Sequence, residues 1–215
     1  MRRAAWVALV FSLTLLVELP ASWLLKPVAA QGVSGSLWQG QAQRIGQVGP
    51  VAWHWQPWRL QARLNIGFQG QDWQVRLAGW PWDWQARVEP LGVIATEPSN
   101  YRLSGAWRGR VDVQGSGGRC RVGEGAIGAA ELILVSPWSL SLGASQVRID
   151  CSTGLHLLAQ LQLQGQHQFS LDADLMQRRG RLQGVVEPGA TLAPLLQSGQ
   201  WLKPDQSGLS RTLKW

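Results

Sequence analysis

The side chains of this 215-residue chain that could carry chemistry are few: His54, His156 and His167, the acidic pair Asp172 and Asp174, and Cys120 with Cys151. Each histidine stands alone, with no second metal ligand at helical or hairpin spacing. No Ser/His/Asp elbow, P-loop, dinucleotide fingerprint or His-Glu-x-x-His pattern is present. Asp172 and Asp174 are two apart, on one face of an alternating strand, and read as a solvated pair. The glycine-rich stretch "GSGGRCRVGEG" lacks the Lys-Ser/Thr and the following helix of a phosphate loop, and reads as a hairpin or loop tethered by Cys120. The expectation is therefore a protein without catalytic residues, cofactor or metal, acting through surfaces.

The aromatic residues are the stronger signal. There are fourteen tryptophans against one tyrosine. Trp53, Trp55 and Trp58 fall in one short stretch, and Trp80, Trp82 and Trp84 in another. In extended chain Trp53 and Trp55 share a face, as do Trp80, Trp82 and Trp84; if the two strands paired, the rings would form a cross-strand ladder. Such a cluster is either core or a surface turned to a partner or a membrane, since tryptophan anchors both hot spots and bilayer interfaces. It is taken as the candidate partner surface. Stacking on a glycan is a third, weaker reading, because no carboxylate-rich groove accompanies the rings. Two related motifs, "GSLWQG" with Gly35, Trp38 and Gly40, and "GAWRG" with Gly105, Trp107 and Gly109, place a tryptophan between glycines. Trp38 and Trp107 are expected to fill core volume at inward strand positions, with the glycines allowing a bend or a close backbone approach.

The elements that must hold these residues are strands. "RLQARLNIGF" sets Leu60, Ala62, Leu64, Ile66 and Phe68 on one face, and "DWQVRLAG" alternates in the same way. Similar short segments, each closed by Gly, Pro or Asn, recur to the C-terminus, and their period of two predicts an all-β, antiparallel meander of short amphipathic strands. Whether the apolar faces meet in a sandwich or one sheet curls around a groove is open at this point. "HWQPWRLQARL" and "DWQARV" share words that fit either a duplicated hairpin or repeated strand patterning. One short helix is expected near Ala190 to Ser198, stopped at Gly199.

Only 15% of the residues are charged, the polar positions being filled largely by Gln, Ser and Arg, and the formal net charge is +7. The arginines are dispersed and no nucleic-acid motif appears, so nucleic acid is not an expected partner. The N-terminus has Arg2 and Arg3 followed by an apolar run from Ala4 to about Leu25, interrupted by Glu18 and Pro20. A spanning helix needs about 20 residues, and the positive-inside rule keeps the arginines cytoplasmic. This predicts a cytoplasmic stub and transmembrane anchor in 1–30 and a periplasmic β-domain in 31–215. The competing reading is a cleaved signal peptide ending at Val28-Ala29-Ala30. Both export the bulk of the chain, and in an oxidising compartment a lone cysteine pair about 30 residues apart, Cys120 and Cys151, most simply forms one structural disulfide.

The order of these features carries a resemblance. An N-terminal anchor is followed by "GSLWQGQAQRI", "VAWHWQPWRL", "YRLSGAWRGRV", Cys120, "ELILVSPW", Cys151, "LHLLAQLQLQG" and a closing "LAPLLQSGQWLKPDQSGLSRTL". Over nearly the whole chain this resembles protein N of the bacterial type II secretion system; the density of tryptophan between Trp53 and Trp84 is where the sequence departs. The resemblance implies a bitopic inner-membrane protein with a periplasmic β-domain. It also implies a non-enzymatic accessory or assembly role, with other secretion components of the inner membrane and periplasm as partners. The alternative is a periplasmic β-groove that handles lipid or membrane, with acyl chains held on a concave apolar face.

Overall fold

Alternating apolar and polar residues can bury one face of a strand only if neighbouring strands keep the same register, and this chain does so across almost its full length. The computed structural model describes residues 6, 14, 19–24, 29–46, 48–93, 102–136, 139–203 and 205–215. After a four-residue helix α1 (Ala21–Leu24) come β1 (Ala30–Gln31), β2 (Ser34–Gly35), β3 (Gln39–Ala42), β4 (Arg44–Ile45), β5 (Val51–Gln56), β6 (Gln61–Phe68), β7 (Gln71–Trp80) and β8 (Asp83–Val93). Then follow β9 (Arg102–Ser116), β10 (Arg119–Ser136), β11 (Leu140–Asp150), β12 (His156–Leu163), β13 (His167–Asp174), β14 (Arg179–Val186), helix α2 (Ala193–Ser198) and β15 (Gly208–Lys214).

β1 and β4 form a small two-stranded ribbon; all other strands lie in one 13-stranded antiparallel sheet, ordered β15 to β5 in sequence and ending on β3 and β2. β2 and β15 do not pair with each other, so the sheet is open. The expected meander is therefore found, and of the two arrangements left open the face-to-face sandwich is excluded. The expected shortness of the strands is corrected: β9 runs 15 residues and β10 runs 18. "YRLSG" and "WRGRVDVQ" belong to one strand, because the glycines that look like stops stay in the ladder: Gly105 pairs with Leu132 beside a register shift and Gly109 pairs regularly with Ile127. The β9–β10 ladder shifts register between Cys120 and Val122, between Ala129 and Leu132, and between Leu134 and Ser136, as bulges do.

Directly paired residues share a face. Val51, Trp53 and Trp55 stand opposite Ile66, Leu64 and Ala62. Those in turn oppose Trp73, Val75 and Leu77, and Val88 and Ala86 oppose Val111 and Val113. The apolar face continues through Ile127 and Val147, Ala159 and Leu171, to Leu182. The other face carries the Gln, Arg and Asp residues.

Among the described residues no second sheet covers the apolar face, so burial has to come from curvature and from large side chains leaning inward. Trp73 of β7 and Trp107 of β9 have ring centroids 5.5 Å apart with β8 between them, whereas strands two apart in a flat sheet stand about 9.6 Å apart. These rings, with Trp84, Ala86, Val88, Ile149 and Leu155, enclose buried Val111, Val113 and Ile127. A second cluster lies under α2, where Ala190, Ala193 and Leu202 pack with Phe169, Val186 and Leu209. The helix begins with Pro194 in its first turn and is followed by Gly199, shorter at its N-terminal end than expected.

Among the described residues no helix is long and apolar enough to cross a membrane. Most of the expected anchor lies outside the described residues. The chain meets the β-domain already at Leu19 and Pro20: the N–H of Leu37 donates to the Leu19 carbonyl at 3.0 Å and Pro20 bridges to Ser36.

Candidate functional site

The titratable residues resolve into structural contacts. His156 and Asp172 lie on neighbouring strands, with Nδ1 2.7 Å from Oδ1, and Thr153 Oγ1 is 3.4 Å from Nε2. The hydrogen bond that His156 Nδ1–H donates to the Asp172 carboxylate holds His156 above its ordinary pKa, against the opposing effect of burial. Hydroxyl, imidazole and carboxylate thus stand in line. However, the hydroxyl contact is longer than the 2.6–3.2 Å or so of an activated nucleophile and Asp172 is 57% exposed, so the arrangement is a cross-strand ion pair. Asp174 accepts from the N–H groups of Met176 and Gln177 and shapes the β13–β14 turn. His167 is buried and donates from Nε2 to the Leu142 carbonyl at 3.1 Å, beside Phe169. His54 contacts Gln56 on the polar face. Among the described residues no group of three His, Cys, Asp or Glu is placed to hold a metal ion.

Cys120 and Cys151 form a disulfide across 31 positions, with Cα atoms 5.3 Å apart. The β10–β11 ladder ends at Ile127 and Val147. Beyond it the disulfide ties the start of β10 to the chain leaving β11.

The six clustered tryptophans divide. Trp53 and Trp84 are half-buried and hold their indole N–H groups on backbone carbonyls, Ser36 at 3.2 Å and Gly117 at 2.9 Å. Each ring lies over the glycine directly opposite it: a Cβ on Gly40 would sit 2.4 Å from Trp53, and one on Gly115 2.2 Å from Trp84. Phe169 covers Gly184 in the same way. A glycine opposite an aromatic lets the ring lie flat along the sheet, which is how this single layer covers itself. The remaining rings are open: Trp55 packs on Trp38 with centroids 5.2 Å apart yet is 42% exposed, and Trp58, Trp80 and Trp82 are 75%, 51% and 63% exposed.

The expected common face of Trp80, Trp82 and Trp84 is corrected. β7 and β8 reverse through Pro81 and Trp82, so Trp84 opposes Gly79 and Trp80 opposes Asp83, which are opposite faces. The conditional ladder between Trp53 and Trp84 does not form either, because β6 and β7 separate β5 from β8. What the structure brings together instead is Trp80 on Trp82, stacked at 4.9 Å and 9°.

The two glycine–tryptophan motifs are not equivalent. Trp38 lies in the turn between β2 and β3, with Gly35 at φ 93° ahead of it and Gly40 under Trp53. Trp107 lies inside β9, where Gly105 faces Leu132 and Gly109 has φ 96°, its Cβ position only 2.1 Å from the Ala126 carbonyl oxygen. Both rings are half-buried rather than enclosed.

A feature the residue types did not reveal is the edge strand. Val186 donates to Ser207 and Trp215 donates to Arg178, which fixes the phase of the β14–β15 ladder. Residues 209, 211 and 213 then turn their backbone groups toward β14, and Gly208, Ser210, Thr212 and Lys214 turn theirs outward. No partner occupies that side among the described residues.

No curated protein and no solved structure matches the chain. The family model for Type II secretion system (T2SS), protein N matches residues 26–203, well over half of its length, and with the strand order and the disulfide now in view the chain belongs to the type II secretion system protein N family.

Proposed function

We propose that the protein is a non-enzymatic assembly component of the type II secretion system, anchored in the inner membrane with its β-domain in the periplasm, and that it works by protein–protein contact. The observation that carries the reading is the open edge of β15 on a chain of this family. Four alternate residues, Gly208, Ser210, Thr212 and Lys214, offer N–H and C=O groups to an incoming strand, the mode in which backbone hydrogen bonds supply affinity and side-chain pockets supply choice. Arg211 and Lys214 make an acidic partner strand the better fit and discourage self-pairing. Thr212→Pro removes an outward N–H without touching the β14 ladder. It should lower both secretion of the system's substrates and recovery of identified secretion components with the membrane-extracted protein. Unchanged secretion and recovery, with the variant present at normal abundance, would sink the edge mechanism.

The lipid-handling alternative is favoured by one observation, the apolar face that runs through the sheet while α2 covers only its β12–β15 part. Phospholipid co-purifying in stoichiometric amount with the detergent-free β-domain would support it. The cavity of about 570 Å³ on β5–β10 does not, because most of its lining is polar or charged, His54, Arg63, Arg76, Arg87 and Arg110 among it.

A further inference from the structure

We infer that the end of the sheet bearing Trp58, Trp80 and Trp82 is a docking rim that rests on the headgroup layer of an anionic phospholipid bilayer. This rests on the inner-membrane reading above and adds which surface of the β-domain faces the lipid.

Antiparallel register puts every second turn at the same end. The β5–β6 turn at Pro57–Arg59, the β7–β8 turn at Trp80–Asp83 and the β9–β10 turn at Ser116–Arg119 are neighbours along one side. They are joined to one another: the N–H of Gly79 donates to the Leu60 carbonyl at 3.0 Å, and that of Gly117 to the Pro81 carbonyl at 2.7 Å. The three tips therefore form a ledge. On it stand the three most solvent-exposed rings of the aromatic cluster. Tryptophan is the side chain that favours the boundary between water and acyl chain, because its body is apolar and its N–H is not. Arg59 and Arg119 are exposed on the same ledge, and Arg178 joins them from the β13–β14 turn. Among the acidic side chains at this end, Asp83 is paired with Arg121 at 2.6 Å, and Asp150 and Asp174 accept hydrogen bonds within their own turns. Indole beside guanidinium groups with no carboxylate partner among the described residues is the combination that anionic headgroups attract.

The opposite end also exposes apolar side chains, Phe68, Val93 and Val135, so hydrophobicity alone does not choose between the ends. The covalent entry point does. Leu19 and Pro20 are bonded to Leu37 and Ser36 in the β2–β3 turn. That turn lies at the tryptophan end, since Trp38 packs on Trp55. An eight-residue strand is about 26 Å long, which is how far the opposite end lies from the point where the N-terminal segment joins.

The test uses the full chain reconstituted into phosphatidylcholine vesicles with and without phosphatidylglycerol. An environment-sensitive fluorophore is placed at Trp58→Cys or, as control, at Gln164→Cys in the β12–β13 turn of the opposite end. Nitroxide-labelled lipid should quench the label at 58 several-fold more than at 164. Quenching should be stronger with phosphatidylglycerol and weaker in high salt, and adding Trp80→Ser with Trp82→Ser should reduce it at least twofold while the protein still floats with the vesicles. A floated protein whose label at 58 is quenched by aqueous iodide as readily as that at 164 overturns the rim and leaves the anchor reading intact. A full chain that does not float with vesicles removes the inner-membrane reading and this inference with it.

Discussion

His156 and Asp172 illustrate what a single ion pair on the polar face can do. Pairing raises the imidazole pKa in the folded state above its unfolded value of about 6.5. The pair therefore stabilises the fold fully below that unfolded value, and the contribution is lost as pH rises through the higher folded one. His156→Gln should lower the melting temperature at pH 5.5 and leave it nearly unchanged at pH 8.5; equal effects at both values would contradict the assignment. The tryptophans separate by burial. Trp107→Ala removes a ring packed on Trp73 and should cost about 3 kcal/mol, seen as a fall in denaturation midpoint and in abundance. Trp82→Ser, at a surface turn, should change stability by less than about 1 kcal/mol and register only in membrane or partner assays.

At the scale of the element, glycine placement decides how a single-layer sheet is built. Gly115→Ala would drive a Cβ into the Trp84 ring and to 2.4 Å from the Arg119 carbonyl oxygen. Backbone cannot move aside as a flexible side chain can, so a loss of about 1–3 kcal/mol is expected by chemical denaturation. Gly117→Ala, with nothing within 4 Å but φ 56°, should suffer only from backbone strain, and a larger loss at Gly117 than at Gly115 would refute the close-packing account. Replacing Cys120 and Cys151 by Ser should cost about 3–4 kcal/mol in the chain-entropy model and loosen the start of β10 first, where no β11 ladder holds it. The alternation in "RLQARLNIGF" made β6 and its inward face readable from the residues alone. Strand lengths were not readable, because Gly105 and Gly109 look like stops, and only the ladder shows that β9 runs through them, with a register shift between Ala129 and Leu132 beside Gly105 and unbroken pairing of Gly109 with Ile127. Trp80, Trp82 and Trp84 alternate correctly, but one turn at Pro81 sends the first and last to opposite faces. The β15 edge was not readable, because which of its backbone groups turn outward is set by the β14–β15 register rather than by any residue type in the strand.

For the molecule as a whole, nearly every strand pairs with its neighbours in sequence, so stability is distributed along a line and the narrowest ladder is where it should break. Inward of the short edge strands β2 and β3, whose ladders hold two and four pairs, that ladder is β8 with β9, with five residue pairs from Trp84–Gly115 to Val88–Val111. On its C-terminal side β9–β15 hold the α2 cluster and buried Val111, Val113 and Ile127. On its N-terminal side β2–β8 contribute only Trp73, Trp84, Ala86 and Val88 to the Val111 cluster. Local opening follows the lowest density of buried contacts. Hydrogen exchange in mild denaturant should therefore release β3–β8 amides as one block before those of β11–β14. Ala86 lies on the apolar face at the seam, opposite Val113; Ala86→Asp would bury a carboxylate there without a partner. It should bring the first block's opening forward while leaving protection of β12–β14 unchanged. Simultaneous loss of protection in both blocks, in parent and variant alike, would show that the seam does not divide the sheet and that its curvature, rather than pair-by-pair laddering, sets the cooperative unit.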